Sequence, residues 1–500
     1  MIHPDGQNAH FEQGEITRKC EAQALPVGHN VTSLQGKKKV MQADTRSRQQ
    51  PMLKDAGANH GCECGLGQQT LAMLLPRLGR TSTAMAREGL RTQKHKSSLY
   101  NPSMASLNYF PPVCGHTNVH LKGVPSMLTA THDNHSRVRR LFSPAFSDRA
   151  LKKQEPLFKR YVNILLQRLD EMAEAEKPAE MTQLFNFATF DTMAQLCFGH
   201  SLGLLEKNEL SPWVRSVFES LKMLPFASMI AYYPLLNGIF TRFEPKWVTA
   251  QREAHCQHSA DRVNQRLEEG SDQPDIWNLV ISAQETSNAL SLEEMHSNAE
   301  LFMLAGSETT ATLLSGLVFY LMSQPEKWEK LTQEIRTAFS KTDDLYFESL
   351  AECKYLSACL KEALRVYPPV PIGSPRVIPA NGQPILGKWI PENTRVSVHH
   401  YSTYHSATNF RDPDEFVPER WLGDVRYADD VQEAHQPFGW GHRNCLGQNM
   451  AMHEMRLIFA AVVLRFDLQL CDESRNWLHQ DAYALWMKNP LLCKVTRVSA

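Results

Sequence analysis

The 500-residue chain lacks an excess of charge of either sign, because 53 Lys and Arg stand against 54 Asp and Glu. Without a net positive charge it has no overall attraction for phosphate backbones, and we expect no nucleic-acid partner. It also lacks a regular glycine or proline repeat, which excludes collagen-like fibres. Its 42% hydrophobic and 21% charged residues are typical of a globular protein rather than a disordered one.

The eleven cysteines show no repeated spacing, and their number is odd. This pattern favours a reducing, intracellular compartment with free thiols over a disulfide framework. His60, Cys62 and Cys64 are close enough in sequence to suggest a metal site. Structural zinc needs about four ligands, however, and no second Cys-x-Cys or Cys-x-x-Cys pair follows, so a loop is the favoured interpretation.

A long hydrophobic run is missing from the first part of the chain. The best one, Leu71–Leu75, is too short to cross a bilayer, so we expect neither a signal peptide nor a membrane anchor here. Residues 1–100 show no sustained period, which predicts a flexible arm ahead of one domain over residues 101–500. Residues 223–240 are mostly apolar but are interrupted by prolines. They predict either buried helix ends or a segment lying in a membrane surface.

Helical periodicity dominates from about His135 onwards. The longest predicted helix has Ser291 as its N-cap and Glu294 in the capping-box position, with Pro325 just past its end. A small β-rich part is predicted late in the chain. The predicted helices are 149–175, 181–199, 292–322, 324–337, 346–367 and 446–466, and the predicted strands are 376–378, 384–386 and 395–399.

The sharpest local pattern is FGWGHRNCLG at residues 438–447. Gly441 and Gly447 bracket Cys445, which lies at the predicted start of the last helix. A helix N-terminus stabilises a thiolate, and glycines let the backbone approach a flat ligand. A cysteine that serves as an axial haem-iron ligand must be held as such a thiolate. For a lone cysteine the alternative is a buried structural thiol.

Polar residues interrupt the longest predicted helix at 305–310, which read AGSETT. Glycine, serine and two adjacent threonines lower helix propensity, so their position favours a ligand groove with a functional hydroxyl. The alternative is a glycine for close helix packing and threonines bonded to the carbonyl four residues back. Glu308 beside Thr309 sets an acid next to an alcohol, an arrangement suited to proton delivery.

The glycine-bracketed cysteine pattern resembles the haem-binding loop of cytochrome P450 monooxygenases, Phe-x-x-Gly-x-Arg-x-Cys-x-Gly, at every fixed position. The resemblance implies that Cys445 is the axial iron ligand, that Arg443 pairs with a haem propionate and that Phe438 packs beside the thiolate loop. The polar helix segment resembles the family's oxygen-activation motif. It implies a role for Thr309 in oxygen activation and for Glu308 in the proton-delivery chain.

Glu362 and Arg365 form a Glu-x-x-Arg pattern 83 residues before Cys445. At this spacing the two side chains share one face of a helix. Taken alone, the pattern is equally consistent with a surface ion pair of little energy. The resemblance implies that the pair joins Arg420, from the sequence PERW, in a buried structural network behind the haem.

His135 and Arg139 lie one helical turn apart and therefore share one face. The resemblance implies that their helix crosses the edge of the haem and that both side chains meet a propionate. A solvated basic face is the alternative for this arginine-rich turn. Arg376 is implied as a further propionate contact.

The resemblance covers residues 101–500 and fits best the fungal members that oxidise secondary metabolites. It implies a mainly α fold with a small β-rich part, in which a long central helix lies over haem b bound through a cysteine thiolate. The implied reaction inserts one atom of O2 into a lipophilic small molecule, such as an intermediate of mycotoxin, polyketide or terpenoid biosynthesis.

The sequence carries no Gly-x-Gly-x-x-Gly fingerprint and no flavin module. The resemblance therefore implies that electrons come from a separate NADPH–cytochrome P450 reductase. It also implies a place on the cytosolic face of the endoplasmic reticulum, with peripheral membrane contact. Two alternatives stay open: a peroxide-using or isomerising haem-thiolate enzyme, and a haem-binding protein without turnover.

Overall fold

The computed structural model describes only part of the chain. The predicted arm over residues 1–100 lies outside the described part, as do His60, Cys62, Cys64 and most of 223–240. The domain boundary at residue 100 therefore stays a prediction. The described residues are 124–211, 213–215, 230, 233, 235, 238–239, 242, 246–269, 275–282, 289–385 and 387–498.

Helices form most of the described chain, which confirms the mainly α fold predicted from the sequence. Short 3-10 turns, among them Pro418–Leu422, connect several of them. The α-helices are α1 His132–Phe142, α2 Asp148–Glu174, α3 Met181–Phe198, α4 Leu204–Lys207, α5 Lys246–Glu269, α6 Ile276–Ser282, α7 Leu292–Met322, α8 Pro325–Ala338, α9 Phe347–Ala351, α10 Lys354–Val366, α11 His400–Tyr404 and α12 Gln448–Arg465.

Helix α7 spans the predicted range 292–322, and its start is fixed by the predicted capping box. The Ser291 hydroxyl accepts a hydrogen bond from the Glu294 N–H at 3.2 Å, and the Glu294 carboxylate accepts one from the Ser291 N–H at 3.0 Å. Pro325 opens α8 soon after α7 ends. Because both ends are set by local chemistry, the sequence alone locates this helix.

The predicted helix 346–367 is wrong in one respect, since the chain forms α9 and α10 with a break between them. At the break Cys353 has extended backbone angles. The Glu334 carboxylate on α8 accepts 2.8 Å hydrogen bonds from the N–H groups of Tyr355 and Leu356. A cap from a distant helix thus starts α10 anew.

The strands are short and antiparallel, in agreement with a small β-rich part. Strands β1 and β6 flank β7 in one sheet, and the pairs β2–β5 and β3–β4 form two ribbons. The predicted strand 395–399 ends early, because α11 begins at His400. The strands are β1 Ala179–Glu180, β2 Arg376–Val377, β3 Gln383–Ile385, β4 Lys388–Ile390, β5 Arg395–Val396, β6 Phe466–Leu470 and β7 Leu492–Arg497.

Helix α7 is the centre of the hydrophobic core. It packs most extensively against α3 and also meets α10 and α12. Within the described part of the chain it alone is long and apolar enough to cross a membrane, but 72% of its apolar window is buried. This burial is typical of the central helix of a globular core.

Candidate functional site

A tight loop precedes α12 and presents Cys445. The Cys445 N–H donates to the carbonyl of Phe438 at 2.8 Å, and the Asn444 N–H donates to the carbonyl of Gly441 at 3.0 Å. Gly439 and Gly441 have φ of 73° and 82°, values that favour glycine. The first helical residue is Gln448, so Cys445 lies three residues before α12 rather than in its first turn.

The Cys445 thiol lies within the protein and yet keeps accessible surface. Burial raises its pKa, whereas a backbone hydrogen bond from Gly447 and the positive charge of Arg139 act in the opposite direction. Both opposing groups favour the thiolate. The side chain is therefore accessible, with a donor and a cation placed to stabilise negative charge on sulfur.

Basic side chains gather near this loop. Burial lowers the pKa of His135 to about 3, and the further contributions come from Arg443, Arg139, His442 and His132. Burial and Arg376 lower the pKa of Arg443 to about 10. The described groups that shift these two pKa values are all basic, so the cluster is suited to an anionic ligand.

His135 Nδ1 and Arg443 Nε, which belong to this basic cluster, are buried without a hydrogen-bond partner. Arg443 also donates through Nη2 to the carbonyl of Ala130 at 2.9 Å. Buried polar groups are normally paired, so two orphaned nitrogens in a basic cluster indicate that a ligand supplies acceptors.

Arg139 also lies in the basic cluster, but its hydrogen-bond partners belong to the Cys445 loop. Its guanidinium donates to the backbone carbonyl of Asn444 at 2.6 Å and to the Asn444 side chain at 2.7 Å. It therefore fixes the residue next to Cys445. Arg376 lies on β2, opposite Val396, and acts on Arg443 through its charge. The propionate contacts implied for Arg139 and Arg376 stay predictions.

Helix α7 turns one face toward accessible space near its middle. Ala305 is exposed and Thr309 is half-buried, although Ser307, Glu308 and Thr310 beside them are buried. The Thr309 hydroxyl donates to the Ala305 carbonyl one turn earlier, at 2.7 Å. This bond matches the alternative predicted for the threonines, but it leaves the hydroxyl oxygen free to accept a hydrogen bond.

Gly306 serves close helix packing rather than a ligand groove. A Cβ built there would lie 2.6 Å from the sulfur of Met193 on α3. The neighbouring Ser307 hydroxyl donates to the Thr189 carbonyl on α3 at 3.3 Å. The two small residues therefore let α7 approach α3, while the accessible face carries Ala305 and Thr309.

Glu308 does not point at Thr309. Its carboxylate accepts hydrogen bonds from Lys488 and, at 3.4 Å, from the Thr312 hydroxyl one turn further along α7. Burial raises the pKa of Glu308, and Lys488 opposes that shift. Sequence reasoning missed Lys488, which lies 180 residues away in no recognised motif.

The predicted structural network is present and fully buried. Arg365 donates two hydrogen bonds to Glu362, at 3.0 and 2.8 Å, and Arg420 donates to the same carboxylate at 3.0 Å. Two members were not foreseen. Trp421 donates its indole N–H to Glu362 at 2.8 Å, and Asp430 pairs with Arg420. Trp421 was visible in PERW, whereas nothing in the sequence marks Asp430.

The residues present fit a haem. Cys445 supplies one soft thiolate donor, and the described residues form no group of three or more His, Cys, Asp or Glu that would hold a bare metal ion. The basic cluster with its orphaned nitrogens matches the two carboxylates of a haem. Phe438 is partly buried and packs against the hydrophobic core, and its role beside a haem stays a prediction.

Comparison with known proteins agrees with this site. The family model described as cytochrome P450 matches residues 114–495. Cytochrome P450 monooxygenase FUM2 of Gibberella moniliformis is 47% identical over 75% of this chain and 80% of its own length. Cytochrome P450 monooxygenases efuB of Hormonema carpetanum and lcsI of Purpureocillium lilacinum are 43% and 41% identical, over 74% and 75% of this chain and 74% and 73% of their own lengths.

Proposed function

Because the chain belongs to the cytochrome P450 family, we propose that it is a haem-thiolate monooxygenase that inserts one atom of O2 into a lipophilic small molecule. The observation that carries this proposal is the Cys445 loop. It presents an accessible thiol, held by the 2.8 Å bond from its N–H to Phe438, beside a basic cluster with unfilled donors. The relatives' names, each a cytochrome P450 monooxygenase, support the reaction type.

In this proposal each site residue has a defined task toward the cofactor. Cys445 binds the iron of haem b, and the Gly447 N–H and Arg139 stabilise the negative charge on its sulfur. Arg443 and His135 supply donors to the propionates, and Arg376 adds positive charge beside Arg443. When bound, the haem supplies the redox chemistry that cleaves O2 and oxidises a C–H bond.

The residues of α7 control protons and substrate in this proposal. Thr309 keeps its hydroxyl on the accessible face, where the oxygen can accept a hydrogen bond while the proton is donated to the Ala305 carbonyl. Glu308 lies one residue earlier and carries an ionisable group that the helix shields from solvent. The small side chain of Ala305 leaves room for an apolar substrate beside Thr309.

The overall reaction needs two electrons and two protons in addition to O2 and substrate. One oxygen atom enters the C–H bond to give an alcohol, and the other leaves as water. NADPH is the electron source, through a separate NADPH–cytochrome P450 reductase. We place the enzyme in fungal secondary metabolism, on the cytosolic face of the endoplasmic reticulum. Exposed apolar side chains at Tyr233, Leu235 and Ile239 support a peripheral membrane contact.

The test is to combine purified holoenzyme with the reductase, NADPH and a lipophilic extract of the producing fungus from which this gene has been deleted. Under ¹⁸O2 we expect one compound of the extract to gain a single ¹⁸O atom, with NADPH consumed. Product formed from hydrogen peroxide without NADPH would identify a peroxide-using enzyme, and a rearranged product without added oxygen an isomerising one. Haem binding without any product from an extract that accumulates the substrate would contradict the proposal.

A further inference from the structure

A buried ion pair joins Glu308 on α7 to Lys488, which lies 180 residues further along the chain. Lys488 donates to the Glu308 carboxylate and, at 2.8 Å, to the Thr312 hydroxyl. Only 4% of the Lys488 side chain and 2% of the Glu308 side chain are exposed. Thr312 in turn donates to Glu308 at 3.4 Å, so each of the three side chains is hydrogen-bonded to the other two.

The segment that carries Lys488 is held on both sides. The Trp486 indole N–H donates to the Pro368 carbonyl at 2.8 Å, and the Trp477 indole N–H donates to the Asn489 carbonyl at 2.7 Å. The Leu491 N–H donates to the Glu180 carboxylate at 2.7 Å. Because the backbone is fixed before and after Lys488, the lysine loses only the conformational entropy of its side chain when it reaches Glu308.

The surroundings of Glu308 make its ionised state dependent on Lys488. Burial favours the neutral acid, and the second carboxylate oxygen, Oε2, has no hydrogen-bond partner. Among the described residues, Tyr367 is a titratable group that also senses Glu308, and its own hydroxyl donates to Gln480 at 2.7 Å. Among the described ion pairs of Glu308, Lys488 supplies the one positive charge. A buried carboxylate that loses its cationic partner takes up a proton, because burial favours the neutral acid.

We propose that Lys488 is a positioning residue for the monooxygenase reaction: it holds Glu308 ionised and anchored to Thr312, so that a carboxylate able to accept and release a proton is kept on α7 one residue before Thr309. The inference rests on the proposed function for its catalytic consequence. Its structural part, the ionised state of Glu308, is independent of turnover. No motif in the sequence assigns a role to Lys488.

The structural part is tested by infrared spectroscopy of the holoenzyme at neutral pH. Lys488→Met removes the charge and keeps the length of the chain, and Lys488→Gln also keeps a hydrogen-bond donor if the first variant fails to fold. We expect each to gain one carbonyl band of a protonated carboxylic acid. The band must be missing in the double variant with Glu308→Gln. No new band, or a wild-type band that Glu308→Gln alone removes, would overturn the inference.

The catalytic part is tested by the ratio of product to NADPH consumed. Lys488→Met is expected to lower this ratio severalfold and to change its dependence on pH, and Lys488→Arg is expected to restore most of it. An unchanged ratio in Lys488→Met, with product still formed, would overturn the inference. If the infrared band appears but the wild-type enzyme makes no product, the proposed function fails while the ionised state assigned to Glu308 stands.

Lys327→Met is the matched control for both measurements. Lys327 also pairs with a glutamate, Glu419, at 3.0 Å, but Lys330 binds the same carboxylate at 2.7 Å. Glu419 therefore keeps a cation when Lys327 is removed. We expect no new infrared band and an unchanged product ratio. If Lys327→Met lowered the ratio of product to NADPH as much as Lys488→Met does, the effect would be common to lysines paired with a glutamate. That result would overturn the positioning role of Lys488.

Discussion

Arg420 donates a hydrogen bond of 3.0 Å from its Nε to the carboxylate of Glu362, and neither side chain has accessible surface. The bond joins the turn Pro418–Leu422 to α10. Because Glu362 also binds Arg365, Trp421 and the Val417 N–H, a single carboxylate holds several segments together. The network is structural, and the Glu362 carboxylate is the negative charge that Arg365 and Arg420 share.

Replacement of that charge by Glu362→Gln leaves Arg365 buried without the carboxylate it pairs with, whereas Arg420 keeps its pair with Asp430. Breaking a buried pair in this way costs about 3–5 kcal/mol, and we expect a loss of that order in the free energy of unfolding by urea. Glu348→Gln is the control, because its pair with Lys152 is largely exposed. We expect it to cost far less, because exposed ion pairs contribute little to stability. Equal losses for the two variants would contradict the role of the network.

Thr309→Ala is expected to keep haem and substrate binding while the ratio of product to NADPH falls severalfold. Without the hydroxyl on the accessible face, protons are delivered poorly and peroxide is released in place of product. Ser315→Ala is the control on the same helix, since its hydroxyl makes the same bond to the carbonyl four residues back but is buried. If the two variants show the same ratio of product to NADPH, the Thr309 hydroxyl serves only to bond the carbonyl four residues back in the helix.

We predict that Glu454 on α12 makes the folded protein less stable as the pH rises. Burial raises its pKa from 4.5 to about 8, and the nearby Thr310 hydroxyl offsets this only in part. The folded protein therefore binds this proton more tightly than the unfolded chain does. The resulting stability is full below about pH 4.5 and is lost as the pH rises toward 8, by up to roughly 1.4 kcal/mol per pH unit.

Glu454→Gln, which carries no titratable proton, tests this dependence. Urea unfolding between about pH 5 and pH 8 should show a flatter profile for the variant than for the wild type. Glu348→Gln changes an exposed carboxylate and should keep the wild-type slope. Parallel profiles for wild type and Glu454→Gln would show that Glu454 is ionised in the folded protein.

Membrane attachment is expected to depend on the exposed apolar side chains near residue 235. Leu235 is 85% exposed and Ile239 58%. Changing both to Asp should release the protein from lipid vesicles in a sedimentation assay, because a charge is costly in the interface. Val425→Asp alters a side chain that is 86% exposed elsewhere and should have no effect. Release on deletion of residues 1–95, with the Asp pair still bound, would place the anchor in that segment instead.

The sequence predicted those features whose causes lie close together in the chain. Ser291 and Glu294 set the start of α7, and Pro325 opens α8 just beyond its end, so the central helix was located without a structure. The break at Cys353 was missed because the cap that starts α10 comes from Glu334, on another helix. Helical periodicity carries no information about such a partner.

The same distinction applies to the candidate site. The spacing around Cys445 identified the loop, because its glycines and its cysteine are neighbours. Lys488 and Asp430 were not found, since each acts through a contact across the fold and is an ordinary charged residue in sequence. For Gly306 the sequence left a ligand groove and close helix packing both open, and the approach of Met193 supports the packing interpretation.

The central claim is that the Cys445 thiolate is the axial ligand of haem iron, and the absorption spectrum of the reduced carbon monoxide complex tests it most directly. Only a thiolate opposite carbon monoxide gives the red-shifted band of haem-thiolate proteins. We predict this band for the wild type and for the control Cys353→Ala, which removes a buried thiol away from the loop. Cys445→Ala should lose the band completely, and a band that persists unchanged in Cys445→Ala would contradict the account.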